Sequence, residues 1–239
     1  MGVRRARGFV PRTARHTVHR KGSTMTPGDL YSYLQRANAT SACEPFDGHV
    51  LACIFVAGVN ECKAGGSLTS ALGIWGSELR RNIERYFPGA LERLEACGID
   101  SEPAVDEDEL CLRELLRRSR TVPTSLTAVL SVLIARRATR PNHLWQDLGF
   151  ANRGELSSLM QRHFAPLARR NTQDMKWKKF FFRMICRDEG YSLCSAPSCS
   201  ECSDFCACFG DETGESLLAR VRFQSEAPGL IAIQPGNTQ

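Results

Sequence analysis

The sequence predicts an all-α protein, an irregular helical bundle that is followed by a cysteine-rich loop near the C-terminus. Apolar residues recur at the three- and four-residue spacings that place side chains on one face of a helix. Proline and capping residues precede several of these segments, as they do at helix starts. No hairpin signal and no alternation of apolar and polar residues indicates a strand. With 239 residues, the chain is long enough for one sizeable core.

The first two predicted helices differ in how much of their surface is apolar. Residues 29–38 form a short opening helix, with Thr26 as its cap and Pro27 in its first turn. Residues 46–63 are apolar on nearly every side, which is typical of a buried helix. We interpret Cys53 in this helix as a small core hydrophobe.

Charge and proline mark the helices that follow. Residues 77–87 form an amphipathic helix that Pro88 ends. Four acidic residues at 106–109 begin the next helix, and three arginines crowd its end. Because these charges match the helix dipole at both ends, we interpret them as structural. Pro123 opens a further apolar helix.

Two histidines are interpreted as structural rather than as metal ligands. Asn152 and Glu155 form a capping-box pattern at the start of a helix, and His163 lies near its end, at the margin of a packed face. His49, at the start of the buried helix, is a capping or hydrogen-bonded histidine, because nothing at metal-site spacing accompanies it.

A helix predicted over residues 172–188 carries two stripes at helical spacing. The apolar stripe, which predicts core packing, contains Trp177, Phe180, Phe181, Met184 and Ile185. The basic stripe contains Lys176, Lys179, Arg183 and Arg187. Because it leads directly into the cysteine loop, this stripe is a candidate for steering an incoming anion. A solvated face, or cations that favour the helix C-terminus, would give the same pattern.

The chain divides into four segments. Residues 1–25 are a basic extension, either disordered or the product of a start codon placed too early, with Met25 as the true start. Residues 26–190 form the helical domain, 191–210 the cysteine-rich cluster-binding loop and 211–239 a C-terminal tail.

The net charge of +5 belongs to the extension. Seven basic residues and no acid lie in residues 1–28, and without them 24 basic and 26 acidic residues remain, a net charge of −2. A nucleic-acid partner would require a basic body, so we expect none. The best candidate for a membrane span, residues 50–59, has about half the roughly 20 residues needed. No apolar run resembles a signal peptide, so we expect a cytoplasmic protein without a membrane partner.

Eleven cysteines point to metal or redox chemistry. The count is odd, and six of the eleven lie between Cys186 and Cys208, whereas a secreted disulfide framework usually spreads its cysteines. Thiolates at short spacing let one loop surround one metal centre. The close-set cysteines of this loop are Cys194, Cys199, Cys202, Cys206 and Cys208.

Three interpretations of this loop stay open from spacing alone. The first three cysteines have four and two residues between them, as in the loop of plant-type [2Fe–2S] ferredoxins, which favours an iron–sulfur cluster. Structural zinc sites usually have a second cysteine pair after a longer gap, and none follows here. An unmetallated loop is the third interpretation.

Specific sequence blocks around this loop resemble the NifQ family of nitrogen-fixation proteins. They are residues 171–181 (NTQDMKWKKFF), 196–199 (APSC) and 208–210 (CFG), with weaker likeness over 47–56 and 154–167. The family has four cysteines separated by four, two and five residues. Matching cysteines stand at every one of these spacings: Cys194, Cys199, Cys202 and Cys208.

The resemblance implies a carrier of an iron–sulfur cluster that contains molybdenum, a metallochaperone rather than an enzyme. Such a carrier donates molybdenum to assembly of the nitrogenase iron–molybdenum cofactor. Its implied partners are the nitrogenase iron protein, the cofactor scaffold complex and a molybdenum source such as molybdate. The four matching cysteines would bind the cluster, with Cys206 and Cys186 as possible alternates.

Two other functions remain as alternatives. An iron–sulfur electron-transfer protein would show reversible one-electron redox chemistry without molybdenum. A zinc-stabilised interaction module would be colourless and would lose its fold to a chelator. A conventional enzyme has little support, because the sequence contains no nucleophile elbow, no phosphate-binding glycine loop and no histidine pair at ligand spacing.

Overall fold

A computed structural model describes residues 25–41, 43–99, 101–188, 208 and 212. These residues form helices and connecting turns and contain no strand, which confirms the all-α prediction. Eleven helices occur in this part of the chain. In order they are α1 (Pro27–Asn38), α2 (Pro45–Cys62), α3 (Leu68–Leu72), α4 (Gly76–Tyr86), α5 (Leu91–Glu95), α6 (Glu107–Arg118), α7 (Ser125–Ala138), α8 (Leu144–Asp147), α9 (Arg153–His163), α10 (Ala165–Ala168) and α11 (Trp177–Asp188).

Helix α2 is buried at the centre of the fold. Its residues from Val50 to Ala57 are all buried, and Cys53 is only 1% exposed, as predicted for a core position. Helices α1 and α3 pack against it. Because α2 is apolar all round, it needs neighbours on several sides to cover its surface.

Helix α1 approaches α2 closely at a glycine. A Cβ atom added to Gly48 would lie 1.9 Å from Oδ1 of Asn38, so only glycine fits there without a shift. Asn38 is itself buried, and its amide nitrogen donates to the carbonyl oxygen of Tyr86 at 2.8 Å. The contact therefore joins α1, α2 and the end of α4.

Helices α6 and α7 pack as a pair, and α11 packs against α6. The carboxylate of Glu109 on α6 is 1% exposed and has arginines as its partners. Arg113 Nε donates to it at 2.9 Å, and Arg136 Nε of α7 lies 3.1 Å from it. A buried ion-pair group thus links the two helices.

The predicted capping signals lie close to the observed helix starts. Thr26 and Asp29 form a capping box on α1, so the helix begins at Pro27, two residues before the predicted start. Asn152 accepts from the Glu155 backbone at 3.1 Å, but the Glu155 side chain accepts from Ala151 N instead of closing the box.

Two predicted helix starts are wrong by a few residues. Pro123 precedes the cap of α7 rather than opening the helix, because the side chain of Thr124 accepts from the backbone of Thr127. Helix α11 begins at Trp177 and not at residue 172. Asp174 lies in the left-handed region with φ at 53°, which interrupts a right-handed helix before that point.

Four short helices, α3, α5, α8 and α10, were not predicted. Each has four or five residues, which is little more than one turn. A single turn is too short for an apolar period to show in the sequence.

Candidate metal centre

Three of the four predicted ligands, Cys194, Cys199 and Cys202, lie outside the described residues, as does the alternate Cys206. The fourth ligand, Cys208, is described and packs, partly buried, against the core. The alternate on the preceding helix, Cys186 of α11, is also partly buried and has a free thiol. The structure therefore describes one predicted ligand, Cys208, and one alternate, Cys186, which lie on either side of the other cysteines.

Cys208 lies at the beginning of α11. Its carbonyl oxygen accepts from the backbone N–H of Lys176 at 2.9 Å, and the carbonyl oxygen of Lys176 in turn accepts from Phe180 N in the first turn of the helix. The unpaired N–H groups of a helix N-terminus carry a partial positive charge. The backbone of Cys208, a predicted ligand, thus lies at the end of α11 where negative charge is favourable.

Glu212, four residues after Cys208, is held by the helical body. Its side chain is 5% exposed, and its Oε1 lies 3.3 Å from Arg153 Nη1 and 3.6 Å from His143 Nδ1. Arg153 is the first residue of α9, and His143 precedes α8. The chain that leaves the cysteine segment is therefore fixed against two helix starts.

The same arginine also holds the chain that leads into α11. Arg153 Nη2 donates to the backbone oxygen of Asp174 at 2.8 Å and to its carboxylate at 2.7 Å. It also donates to the carbonyl oxygen of Met175 at 3.2 Å. These contacts support the left-handed residue that delays the start of α11, and they bring residues 174 and 212 to one side chain.

The other end of α11 is fixed by two further arginines. The carboxylate of Asp188, the last residue of α11, pairs with Arg118 of α6 and with Arg170, the latter at 3.3 Å. A helix rises about 1.5 Å per residue, so Asp188 and the helix start lie roughly 17 Å apart. The cysteine segment thus leaves from one end of α11, and Cys208 lies at the other.

The predicted basic stripe borders two pockets along α11. Lys176 and Lys179 line one of about 170 Å³, together with His143 and Glu212. Arg183 and Arg187, the arginines of the stripe, line a second pocket of about 180 Å³. The lysines of the stripe therefore lie toward the end of α11 that the Cys208 backbone contacts, and its arginines lie toward the opposite end, from which the cysteine segment leaves.

Lys178, which lies between the two lysines of the stripe, contacts residues of the helical domain. Its ammonium lies 2.5 Å from the buried carboxylate of Asp147 and contacts the carbonyl oxygen of Arg140. Burial lowers the pKa of Lys178, and the bond to Asp147 opposes that effect. We therefore assign Lys178 to holding α11 in place.

Both histidines that were interpreted as structural have hydrogen-bond partners. His163 Nε2 lies 2.8 Å from the buried carboxylate of Asp47. His49 Nδ1 is paired with the Tyr31 hydroxyl at 2.7 Å, and its Nε2 lies 3.4 Å from Glu155. His163 therefore joins α9 to α2, and His49 joins α2 to both α1 and α9.

Sequence reasoning missed Arg153, His143 and Glu212. They are separated by up to about seventy residues and form no motif, so only their contacts show that they belong together. Among the residues that the structure describes, no three histidine, cysteine or acidic side chains are grouped as a metal site would require. In the same residues, no helix combines the length and apolar character needed to cross a membrane.

Fold and site together define a class: a protein with a helical body that holds the flanks of a cysteine-rich segment. A sequence model of the NifQ family matches residues 50–210. "Protein NifQ homolog" of Sinorhizobium fredii is 44% identical over 186 residues, which are 76% of this chain and 80% of that protein. "Protein NifQ" of Rhodobacter capsulatus is 37% identical over 177 residues, which are 73% of this chain and 96% of that protein.

The chain belongs to the NifQ family, and so to the nitrogen-fixation proteins. "Protein NifQ" of Azotobacter vinelandii is similar over a shorter stretch, 37% identical over 136 residues that cover 57% of this chain and 60% of that protein. No solved structure matches the chain.

Proposed function

We propose that this protein carries molybdenum within an iron–sulfur cluster and donates it to assembly of the nitrogenase iron–molybdenum cofactor. The observation that carries the proposal is the spacing of four cysteines, with four, two and five residues between them, inside the region that matches the family. The cysteines are Cys194, Cys199, Cys202 and Cys208.

The donor set suits such a cargo chemically. Thiolates are soft ligands that favour iron–sulfur clusters. A cuboidal cluster of three irons and one molybdenum requires one protein ligand for each iron. Three thiolates would fill these positions, which leaves the fourth for molybdenum or for a separate step in transfer.

The surroundings of Cys208 support a negatively charged cargo. A thiolate-ligated cluster is usually a net anion, and molybdate is a dianion. Cys208 lies at the N-terminus of α11, and Lys176 and Lys179 border the adjacent pocket. Both features favour negative charge and raise the local concentration of an incoming anion.

The remaining parts of the proposal follow from the family. We propose the nitrogenase iron protein and the cofactor scaffold complex as partners, molybdate as a source of the metal and the cytoplasm as the site of action. The protein acts as a metallochaperone and not as an enzyme, since its cargo leaves with the partner.

The direct test is the metal content of the protein purified without oxygen from cells grown with molybdate. We expect iron, acid-labile sulfide and molybdenum in fixed proportion to the chain. Iron and sulfide without molybdenum would favour electron transfer instead. Zinc alone, without sulfide, would mean that the cysteines are structural and would refute the carrier.

A cysteine substitution tests the ligand assignment. Cys199→Ala should abolish binding of iron and molybdenum, because it removes a thiolate from the centre of the four-cysteine pattern. Cys111→Ala is the matched control, since Cys111 is a partly buried thiol on α6 that lies outside the pattern. Full metal content in the first variant would contradict the assignment.

A further inference from the structure

A surface pocket beside the second half of α11 is lined by arginines from two separate segments. Arg183 and Arg187 lie four residues apart on α11, so their side chains extend from the same face of the helix. Arg170 reaches the same pocket from the chain that follows α10. The pocket has a volume of about 180 Å³, and none of the described residues that line it is acidic. Three guanidinium groups therefore border one space.

The helix dipole explains only part of this arrangement. Cations in the last turn of a helix are favourable, which accounts for Arg187 and in part for Arg183. It does not account for Arg170, which lies outside α11. Three like charges at one pocket repel each other unless an anion offsets them. The convergence of the two segments therefore indicates an anion site.

The described acidic partner of Arg170 leaves it able to bind an anion. The carboxylate of Asp188 lies 3.3 Å from Arg170 and also pairs with Arg118, so it is shared between two arginines. A guanidinium has five N–H donors, so Arg170 can keep this bond and still donate into the pocket. The ion pair with Asp188 therefore positions Arg170.

Arg187 is exposed, and it has no acidic partner among the residues that the structure describes. An exposed, unpaired arginine at the edge of a pocket costs nothing to redirect toward a ligand. It also makes Arg187 the residue whose removal disturbs the fold least.

The floor of the pocket is apolar and packed. Met175, Phe180 and Met184 line it, and each is 3–4% exposed. Asn171 holds the adjoining turn, since its amide nitrogen donates to the carbonyl oxygen of Met175 at 2.9 Å and its Oδ1 accepts from Met175 N at 2.8 Å. Apolar atoms exclude water and so strengthen the attraction between a guanidinium group and an anion.

We propose that this pocket binds a tetrahedral oxyanion and that its ligand is molybdate. The planar fork of a guanidinium group donates two parallel N–H bonds to the oxygens of such an anion. Arginines from two segments can contact different oxygens of one tetrahedral dianion. The choice of molybdate rests on the proposed function, for which it names the site that first receives the metal.

The pocket lies at the end of α11 from which the cysteine segment leaves. Arg187 precedes Cys194 by seven residues. Because an extended chain spans at most about 3.6 Å per residue, their Cα atoms are no more than about 25 Å apart. Binding in the pocket would therefore raise the concentration of molybdate near the proposed cluster ligands.

Molybdate binding can be measured without the cluster. The full-length Cys199→Ala protein is prepared free of metal, and its binding of radioactive molybdate is measured by equilibrium dialysis at a fixed concentration of sodium chloride. We expect saturable binding at one site, with the affinity of the metal-free protein that keeps all its cysteines. Loss of binding in Cys199→Ala would mean that the thiolates hold the molybdate and would overturn the pocket.

Two arginine variants test the pocket itself. Arg187→Met should weaken molybdate binding about tenfold or more, because a hydrogen bond to a charged group is lost. Arg169→Met is the matched control, since it removes the same charge from an exposed residue that adjoins Arg170 in the chain and does not line the pocket. Equal losses in the two variants would show a general attraction to positive charge and would overturn the site.

Sulfate has the shape and charge of molybdate, so competition between them distinguishes the two possible ligands. We expect molybdate to bind at least as tightly as sulfate. Tighter binding of sulfate would overturn the assignment of molybdate.

The pocket and the carrier function can fail separately. Molybdate binding that depends on Arg187 supports the pocket whatever metal the purified protein contains. A purified protein that contains molybdenum, iron and sulfide, but whose molybdate binding is unchanged by Arg187→Met, would overturn the pocket and leave the carrier function intact.

Discussion

Three buried charges, on Glu109, Arg136 and Arg137, have partners of opposite charge on another helix. Glu109 is 1% exposed and contacts Arg113 of its own helix and Arg136 of α7. Arg137 is buried too, and its Nη1 lies 2.5 Å from Glu61 on α2. Burial lowers the pKa of both Arg136 and Arg137, and the acidic partner opposes that effect in each case. The arginines of α7 thus connect it to two other helices.

Removal of one buried partner should be costly. We expect Glu109→Ala to lower the free energy of unfolding by about 3–5 kcal/mol, because two arginines would lose the carboxylate that compensates their burial. Chemical denaturation measures this change. Glu114→Ala on the same helix is the control, because Glu114 pairs with Arg117 on the exposed surface and should contribute less than about 1 kcal/mol. Equal losses in the two variants would contradict this account.

The packing of whole helices depends on small residues as well as apolar ones. The periodicity of the sequence indicates which helices are buried, but α1 also contacts α2 at Gly48, where there is no room for a side chain. Alanine usually stabilises a helix relative to glycine. Here its methyl group would overlap Asn38, which the carbonyl oxygen of Tyr86 holds in place.

Gly48→Ala should therefore destabilise the protein despite its better helix propensity. We expect a loss of about 1–3 kcal/mol, as for other overpacked sites, measured by thermal or chemical unfolding. Gly66→Ala is the control, because an added Cβ there would meet its nearest atom, the Glu61 carbonyl oxygen, at 3.8 Å. A stabilised Gly48→Ala variant would mean that α1 and α2 can move apart at little cost.

For the molecule as a whole, the body of helices acts as a frame for the cysteine segment. Asp188 is held at one end of α11, while Cys208 and Glu212 are held at the other. Arg153 contacts both flanks of this segment, Asp174 before α11 and Glu212 after Cys208. The proposed cluster would thus be bound by a segment whose flanks are already positioned.

Arg153→Met tests whether the frame contributes to metal binding. We expect it to lower the affinity for the cluster by about tenfold, comparable with the loss of an outer-shell partner, while the helical domain stays folded. Molybdenum and iron content per chain, with circular dichroism as the check on folding, measures this. Arg117→Met, which alters an exposed arginine of α6, should leave both unchanged. Unaltered metal content in Arg153→Met would show that the contacts of Arg153 with Asp174 and Glu212 are not needed for metal binding.

The sequence by itself determined the helical class, most of the long helices and the four-cysteine pattern, because periodicity, caps and spacing are local properties. It also indicated the family, which the comparisons confirmed. Only the tertiary structure decided that α11 begins at Trp177 and that Arg153 holds both Asp174 and Glu212. These features arise from contacts between residues far apart in the chain, for which the sequence contains no local pattern.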